Sequence, residues 1–128
     1  MTVINPATLA SPRGYSHGIT GEGRILFVAG QIGWDTNSKI VSDRFVDQFE
    51  QALANVLQVV TAAGGTHESV ARLAIYVIDK AEYVAAMKEV GERYRAHMGR
   101  HYPAMTLVEV KGLLEPGARV EIEATALL

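Results

Sequence analysis

Apolar and polar residues alternate at period two along the C-terminal stretch of the chain, residues 103–127. Such alternation is typical of β-strands that present two different faces. Between the two alternating runs, Glu115-Pro116-Gly117 has the composition of a tight turn, because proline presets φ and glycine accepts a positive φ. The chain is therefore predicted to close with a pair of strands. In the first run Thr106, Val108 and Val110 share one face and Met105, Leu107 and Glu109 the other; in the second, Val120, Ile122, Ala124 and Ala126 oppose Glu121, Glu123 and Thr125.

The N-terminal part of the chain predicts an extended arm followed by a β-hairpin. Residues 1–13 contain two prolines and are expected to form an arm with at most one short strand. Residues 15–19 and the strongly apolar residues 24–32 flank a glycine-rich turn, so they are predicted to pair with each other. Gly30 within the second of these strands predicts a bulge, or a close approach of a neighbouring group or ligand.

Two amphipathic helices are predicted, because apolar residues recur at spacings of three and four. The first is expected to be capped by Ser42 or Asp43 and to end at Gly64. The second is expected to follow Asp79 as its cap and to end at Gly99. The apolar stripes are Phe45, Phe49, Leu53, Val56, Leu57 and Val60 in the first helix, and Tyr83, Met87, Val90, Tyr94 and Met98 in the second.

A strand at residues 70–78 separates the helices, so the order is strand, strand, helix, strand, helix, strand, strand. Each helix has one apolar stripe, and this favours an α+β fold with one mixed β-sheet and two helices packed on one face. The other sheet face would carry Glu121, Glu123 and Thr125, which are too polar for a dry core, together with apolar neighbours. We expect an oligomer to cover it. The length of the chain, residues 1–128, suits a single domain.

Composition narrows the functional classes. The apolar fraction is 48%, enough for a core, and the net charge of −2 gives no reason to expect nucleic acid or an anionic membrane as partner. The absence of cysteine excludes thiolate catalysis and thiolate-bound metal. No apolar run reaches about 18 residues, and no basic start precedes an apolar segment, so a cytoplasmic location is expected.

The sequence gives little support for a metal site or a nucleotide-binding loop. His97 and His101 are four residues apart, as zinc ligands on a helix can be, but Gly99 interrupts the helix between them. We interpret them as two exposed histidines at a helix end. Gly21-Glu22-Gly23 precedes no helix and is therefore not a phosphate-binding loop.

Several short segments follow one another along almost the whole chain: residues 27–32 (FVAGQI), 51–56 (QALANV), 62–64 (AAG), 76–77 (YV), 102–104 (YPA), 108–110 (VEV) and 120–124 (VEIEA). Together they resemble the Rid family (YjgF/YER057c/UK114). This resemblance implies a chorismate-mutase-like α+β fold and a homotrimer with three equivalent clefts between subunits. It also implies enamine/imine deaminase activity on 2-aminoacrylate-type intermediates, without a cofactor or metal.

One position departs from the family pattern. The archetypal deaminases have an arginine after Pro-Ala that holds the substrate carboxylate through two hydrogen bonds, and this chain has Met105 there. A thioether has neither charge nor N–H donors and cannot replace that contact. Losing it costs about 2–5 kcal/mol of binding, roughly thirty-fold to several-thousand-fold in affinity. We therefore expect the archetypal activity on 2-imino acids to be very weak or absent unless another cation enters the cleft. We also expect a more apolar cleft that prefers an uncharged or aromatic ligand over a small zwitterion.

The resemblance implies a set of site residues, each with a structural alternative. Glu123 would handle the proton of the attacking water, or would serve as a structural carboxylate. Tyr15 would contact the ligand, or would be an ordinary half-buried aromatic residue. Trp34 would form an aromatic wall, or would fill a subunit boundary. The remaining residues implied to line the cleft are Gly30, Gln31, Met105 and Thr106.

Two functions stay open from the sequence. The first is imine hydrolysis with a substrate other than the archetypal one, and the second is a non-catalytic small-molecule-binding or regulatory trimer. Another cation could replace the arginine, but nothing in the sequence places one in the cleft. The candidates are Arg13, His17, Arg93, Arg100 and Arg119.

Overall fold

The computed structural model describes all residues, 1–128. The short strands are β1 (Thr2–Ile4) and β2 (Gly18–Thr20). The longer strands are β3 (Ile25–Ile32), β4 (Val70–Val77), β5 (Ala104–Glu109) and β6 (Val120–Leu127). The helices are α1 (Phe45–Ala62), α2 (Lys80–Ala85) and α3 (Met87–Met98), and a 3₁₀ turn spans His67–Ser69. No helix combines the length and apolar character needed to cross a membrane.

The main sheet is mixed and has the strand order β3-β6-β4-β5. Strand β6 is antiparallel to both of its neighbours, whereas β4 and β5 are parallel. Parallel neighbours need a long crossover connection, and α2 and α3 supply it between β4 and β5. The predicted α+β fold, with one mixed sheet and helices on one face, is confirmed.

Two predicted strand pairings are wrong. Strand β2 pairs with β1, not with β3, because β3 has eight residues and is matched along its length by the equally long β6. Strands β5 and β6 are not neighbours, since β4 lies between them. Residues 110–119 connect them, and this is longer than the roughly 2–5 residues of a hairpin loop. Composition shows that a turn is present but not which strands it joins.

The core lies between the helices and one face of the main sheet. The alternation predicted for β6 is confirmed, because its even-numbered residues are buried and its odd-numbered residues are partly exposed. Helix α1 packs its buried stripe on β3 and β6, and α3 packs against α1. The largest fully buried apolar side chains are Leu53, Val56, Val60, Val70, Leu73, Val77, Met98, Val120 and Ile122.

The helix ends follow the sequence signals in part. Gly64 and Gly99 have positive φ angles of 93° and 58°, and Asp79 caps α2 by accepting a hydrogen bond from the amide of Ala81. The residue that caps α1 is Arg44, not Ser42 or Asp43. Ser42 instead accepts a hydrogen bond from the Arg44 amide and donates one to Asp47.

The second predicted helix is divided into α2 and α3 at Ala86, which has φ −105° and ψ 9°. Nothing in the local sequence signals this break.

The bulge predicted at Gly30 is confirmed by a shift in the β3–β6 register between Val28 and Gln31. A side chain at position 30 would clash with the carboxylate of Glu121 on β6. Glycine is therefore required here by the close approach of a neighbouring strand's side chain.

A buried glutamine fastens the 110–119 loop to α1. Gln48 is fully buried, and its amide nitrogen donates to the carbonyl oxygens of Ser42 and Gly117 at 2.8 and 3.0 Å. Its amide oxygen accepts a hydrogen bond of 2.8 Å from the Arg119 amide. One side chain thereby satisfies three backbone groups through part-buried hydrogen bonds, and losing such a partner is costly where water cannot replace it.

We expect Gln48→Ala to lower the free energy of unfolding by about 2–4 kcal/mol, because those three backbone groups lose their partner and a cavity opens. Gln58→Ala removes an exposed glutamine from the same helix and is expected to change it by less than about 0.5 kcal/mol. Urea unfolding at one fixed protein concentration measures both. Equal losses in the two variants would contradict the role assigned to Gln48.

Candidate functional site

The face of the main sheet opposite the helices carries Glu123 in a shallow cavity of about 190 Å³. Glu123 lies beside Ala74 of β4, and Ala74 lies beside Thr106 of β5, so Thr106 and Glu123 share one row across the sheet. Arg72 and Thr125 complete the polar lining. The predicted site residues Glu123 and Thr106 therefore do lie on the same face.

The carboxylate of Glu123 is held by a tyrosine that sequence reasoning missed. The hydroxyl of Tyr76 donates a hydrogen bond to Oε1 of Glu123. This bond raises the pKa of the Tyr76 phenol, and desolvation and the negative charge of Glu123 act in the same direction. Tyr76 lies beside Glu121 in the strand register, so it reaches Glu123 diagonally. The pair depends on how β4 and β6 align, so local sequence patterns do not show it.

Arg72 is a second residue of this cavity that the sequence did not single out. It is exposed, makes no salt bridge, and its charge partly opposes the rise in the Tyr76 pKa. The open face therefore combines a carboxylate and an unpaired guanidinium in one small cavity, with the Tyr76 phenol hydrogen-bonded to the carboxylate. Such a group can position water and move a proton.

Met105 lies on the opposite face of the sheet, beneath the helices. It neighbours Leu73 in the β4–β5 register and packs against the hydrophobic core. A separate cavity of about 300 Å³ opens next to it, lined mainly by apolar side chains. The lining residues are Phe49, Ile75, Tyr83, Met87, Val90, Tyr94, Tyr102 and Met105, together with Arg13, Gly14, Gly91 and Arg95.

Two stacked tyrosines form one wall of the Met105 cavity. The rings of Tyr94 and Tyr102 are 5.6 Å apart at an angle of 11°, and the Tyr94 hydroxyl donates to the carbonyl oxygen of His101 at 2.7 Å. Burial raises the pKa of the Tyr94 phenol well above its ordinary value. This wall is therefore aromatic, and the hydrogen bond of Tyr94 fixes its position.

Tyr15 lies close to this cavity but does not line it. Its neighbour Gly14 contributes to the lining, and Ser16 forms a parallel bridge with Ala104. The Tyr15 ring is half-buried and meets His17 edge-on, with the ring centroids 5.5 Å apart.

Gln31 and Trp34 lie in a third place, at the β3 edge of the sheet. They line a polar cavity of about 260 Å³ together with α1 residues that include Gln51 and Asn55. Asn55 donates to the carbonyl oxygens of Ile32 and Trp34, both at 3.0 Å, and so fixes this edge. Within one chain, Gln31 and Trp34 meet neither Glu123 nor Met105.

The residues considered as replacements for the missing family arginine differ in their surroundings. Arg93 pairs with Glu50, Asp47 and Glu89 and lowers the pKa of Glu50 through its hydrogen bond, while Arg119 pairs with Glu82. The remaining candidates are His17, which contacts the Ala10 carbonyl oxygen, Arg100, which lies in a different depression, and Arg13, which lines the Met105 cavity.

His97 and His101 do not come together as metal ligands. The Nε2 atom of His97 lies 3.2 Å from Glu50, whereas that of His101 lies 2.6 Å from the carbonyl oxygen of Val70. The Nε2 atom of each ring is thus engaged in its own structural contact. The prediction that both histidines are exposed is wrong, because these contacts leave each residue half-buried.

Comparison with known proteins identifies the family. The family model described as Endoribonuclease L-PSP matches residues 6–128. A human protein named 2-iminobutanoate/2-iminopropanoate deaminase is 30% identical over 105 residues, covering 81% of this chain and 73% of the human protein. A RutC family protein of Pyrococcus horikoshii is 36% identical over 113 residues, covering 88% of this chain and 85% of its own.

Comparison with solved structures supports the same family. A crystal structure of a Rid-family protein of unknown function from Yersinia pestis aligns with a TM-score of 0.86 and 36% identity, covering 99% of this chain and 98% of that one. The chain belongs to the Rid family (YjgF/UK114).

We expect the pKa of the Tyr76 phenol to be higher than that of an ordinary tyrosine, because ionisation would remove its hydrogen bond to Glu123 and would also place two negative charges together. Ultraviolet titration of the wild type minus Tyr76→Phe isolates this group, and Glu123→Gln should move its pKa back down. Since the folded-state pKa is the higher one, the stabilisation is present below the unfolded value of about 10 and is lost as pH rises through the folded value. An unshifted phenol would contradict the pairing.

Proposed function

We propose that this protein hydrolyses an enamine or imine to a carbonyl compound and ammonia, with Glu123 as the group that moves the proton. The observation that carries the proposal is the Glu123 carboxylate, held in a cavity on the open sheet face by the Tyr76 hydroxyl. The family supports it, since relatives about 30% identical are named 2-iminobutanoate/2-iminopropanoate deaminases.

The proposed reaction needs only a water molecule and one group that moves its proton. The oxygen of a water attacks the C=N carbon while Glu123 accepts one of the water's protons and returns it to the nitrogen. The resulting carbinolamine then passes its hydroxyl proton to the nitrogen, so that the C–N bond breaks, the carbonyl group forms and ammonia leaves. An enamine first tautomerises to the imine by taking up a proton on carbon and losing one from nitrogen. The Tyr76 hydroxyl bonds to Oε1 of Glu123, and Oε2 makes no hydrogen bond within the chain. That oxygen is therefore available to the water.

We further propose that the complete site forms between copies of the chain, as clefts of a homotrimer. Met105 and Glu123 lie on opposite faces of the same sheet, so one copy cannot bring them together. The open face also exposes large apolar side chains, with Phe27 77% and Val108 42% exposed. Such apolar surface beside polar groups is typical of a face covered by another subunit.

The substrate is proposed to differ from that of the archetypal deaminases. Met105 occupies the position of their carboxylate-binding arginine and packs against apolar neighbours. A thioether in such surroundings contributes dispersion contacts rather than charge. The same observation favours a second candidate function, a trimeric small-molecule-binding module that has lost the chemistry.

We expect the wild type to hydrolyse imines that an amino-acid oxidase generates in situ, measured as ammonia release against spontaneous hydrolysis. Glu123→Gln should lower the catalysed rate about a hundredfold or more, because the proton acceptor is lost. Met105→Arg should raise the rate on small 2-imino acids. Glu22→Gln, an exposed carboxylate in a turn, is the matched control and should be unchanged.

The outcomes separate the two candidate functions. A Glu123-dependent rate in the wild type supports hydrolysis. Activity confined to Met105→Arg would mean that the scaffold is competent but the wild type does not use these substrates. Absence of catalysis in every variant, with the fold retained by circular dichroism, would contradict hydrolysis and favour the binding module.

A further inference from the structure

The Met105 cavity has the size and walls of a binding site for a small apolar group. Its volume of about 300 Å³ is at the lower end of the range for ligand pockets. Aromatic and aliphatic side chains from the sheet and from α3 form most of its surface, including the stacked Tyr94 and Tyr102. Met105 and Met87 are flexible side chains that can adapt to a ligand's shape.

A glycine of α3 forms part of the cavity lining. Gly91 lies in the middle of the helix, where glycine is the least favourable residue after proline. A Cβ atom at this position would lie 3.1 Å from Nη1 of Arg95, so the Arg95 side chain folds back over the glycine, one turn earlier. A methyl group at position 91 would require the guanidinium to move by a few tenths of an ångström, and a larger side chain would require it to move further.

The cavity is bordered by positive charge without any compensating acid. Arg13 and Arg95 both line it, and neither forms a salt bridge, whereas Arg44, Arg93 and Arg119 are all paired with carboxylates. No aspartate or glutamate belongs to the lining. An apolar cavity with two unpaired guanidinium groups is complementary to a molecule with an apolar body and an anionic end.

The arm that carries Arg13 is fixed in place by its neighbour. Ser16 is only 5% exposed, and its hydroxyl donates a hydrogen bond to the Tyr102 carbonyl oxygen. Its backbone amide donates a second hydrogen bond, of 3.1 Å, to the Pro103 carbonyl oxygen. Residues 13–16 therefore run beside the start of β5, next to Met105. A positive charge from the arm thus reaches the cavity in which the family arginine is missing.

We propose that this cavity binds an amphiphilic carboxylate, namely a 2-imino or 2-oxo acid with an aromatic or branched side chain. The apolar side chain enters beside Met105, and the carboxylate pairs with Arg13 and Arg95. As a statement about substrate, the inference rests on the proposed hydrolysis, because the imine of such an acid would be the molecule hydrolysed. As a statement about ligand binding, it is testable on its own.

Calorimetric titration with three probes tests the ligand class. Phenylpyruvate has both the apolar body and the carboxylate, pyruvate has only the carboxylate, and phenylacetone has only the apolar body. We expect phenylpyruvate to bind the wild type at least about tenfold more tightly than either of the others, because each part adds a contact. Equal affinity for pyruvate and phenylpyruvate would overturn the proposal.

Matched variants test the residues. Arg13→Gln should weaken phenylpyruvate binding about tenfold and leave phenylacetone unchanged, whereas Arg24→Gln, another exposed and unpaired arginine, should change neither. Gly91→Leu should weaken both aromatic probes, because the larger side chain changes the cavity lining and moves the Arg95 guanidinium. Leucine favours the helix, so unchanged thermal unfolding would show that the fold is retained. Loss of phenylpyruvate binding in Arg72→Gln but not in Arg13→Gln would place the carboxylate on the open face and overturn the assignment.

The proposed ligand class and the proposed hydrolysis can be contradicted independently of each other. Tight phenylpyruvate binding without hydrolysis of the corresponding imine would support the cavity's ligand class and contradict the deaminase function. Hydrolysis of small and bulky imines at equal efficiency would support the deaminase function and contradict the ligand class.

Discussion

Successive residues of a β-strand point to opposite faces of the sheet, and this constraint decides where the chemically interesting groups of the chain lie. In β4, β5 and β6 one set of alternate residues meets the helices and forms the core. The other set faces away and carries Glu123, Tyr76 and Arg72. The same alternation that builds a stable core thus separates the acidic group of the open face from the apolar cavity beneath the helices.

This separation gives the two faces different chemistry. The open face combines charged and hydroxyl groups in a shallow depression, which suits the handling of water and protons. The helix face offers an aromatic cavity with unpaired guanidinium groups, which suits the binding of an apolar anion. Neither half forms a complete hydrolytic site. An assembly that places the open face of one copy against the Met105 cavity of another would combine them.

Local sequence patterns predicted those features that depend on nearby residues. The faces of β5 and β6, the bulge at Gly30 and the cap at Asp79 follow from side-chain periodicity and turn chemistry. Strand neighbours could not be predicted this way, because β6 pairs with β3 and β4 across long stretches of chain. For the same reason the Tyr76–Glu123 pair and the position of Arg13 beside Met105 were missed, since both depend on how distant segments meet.

A crystal structure of the assembled protein with phenylpyruvate bound would show how the copies of the chain are arranged. We expect a trimer in which the ligand's apolar end lies beside Met105 of one copy. A Glu123 carboxylate of a neighbouring copy should then lie within reach of a water at the ligand's C2 atom, at hydrogen-bond distances of about 3 Å. A monomer, or an assembly in which every Glu123 faces solvent far from every Met105 cavity, would contradict it.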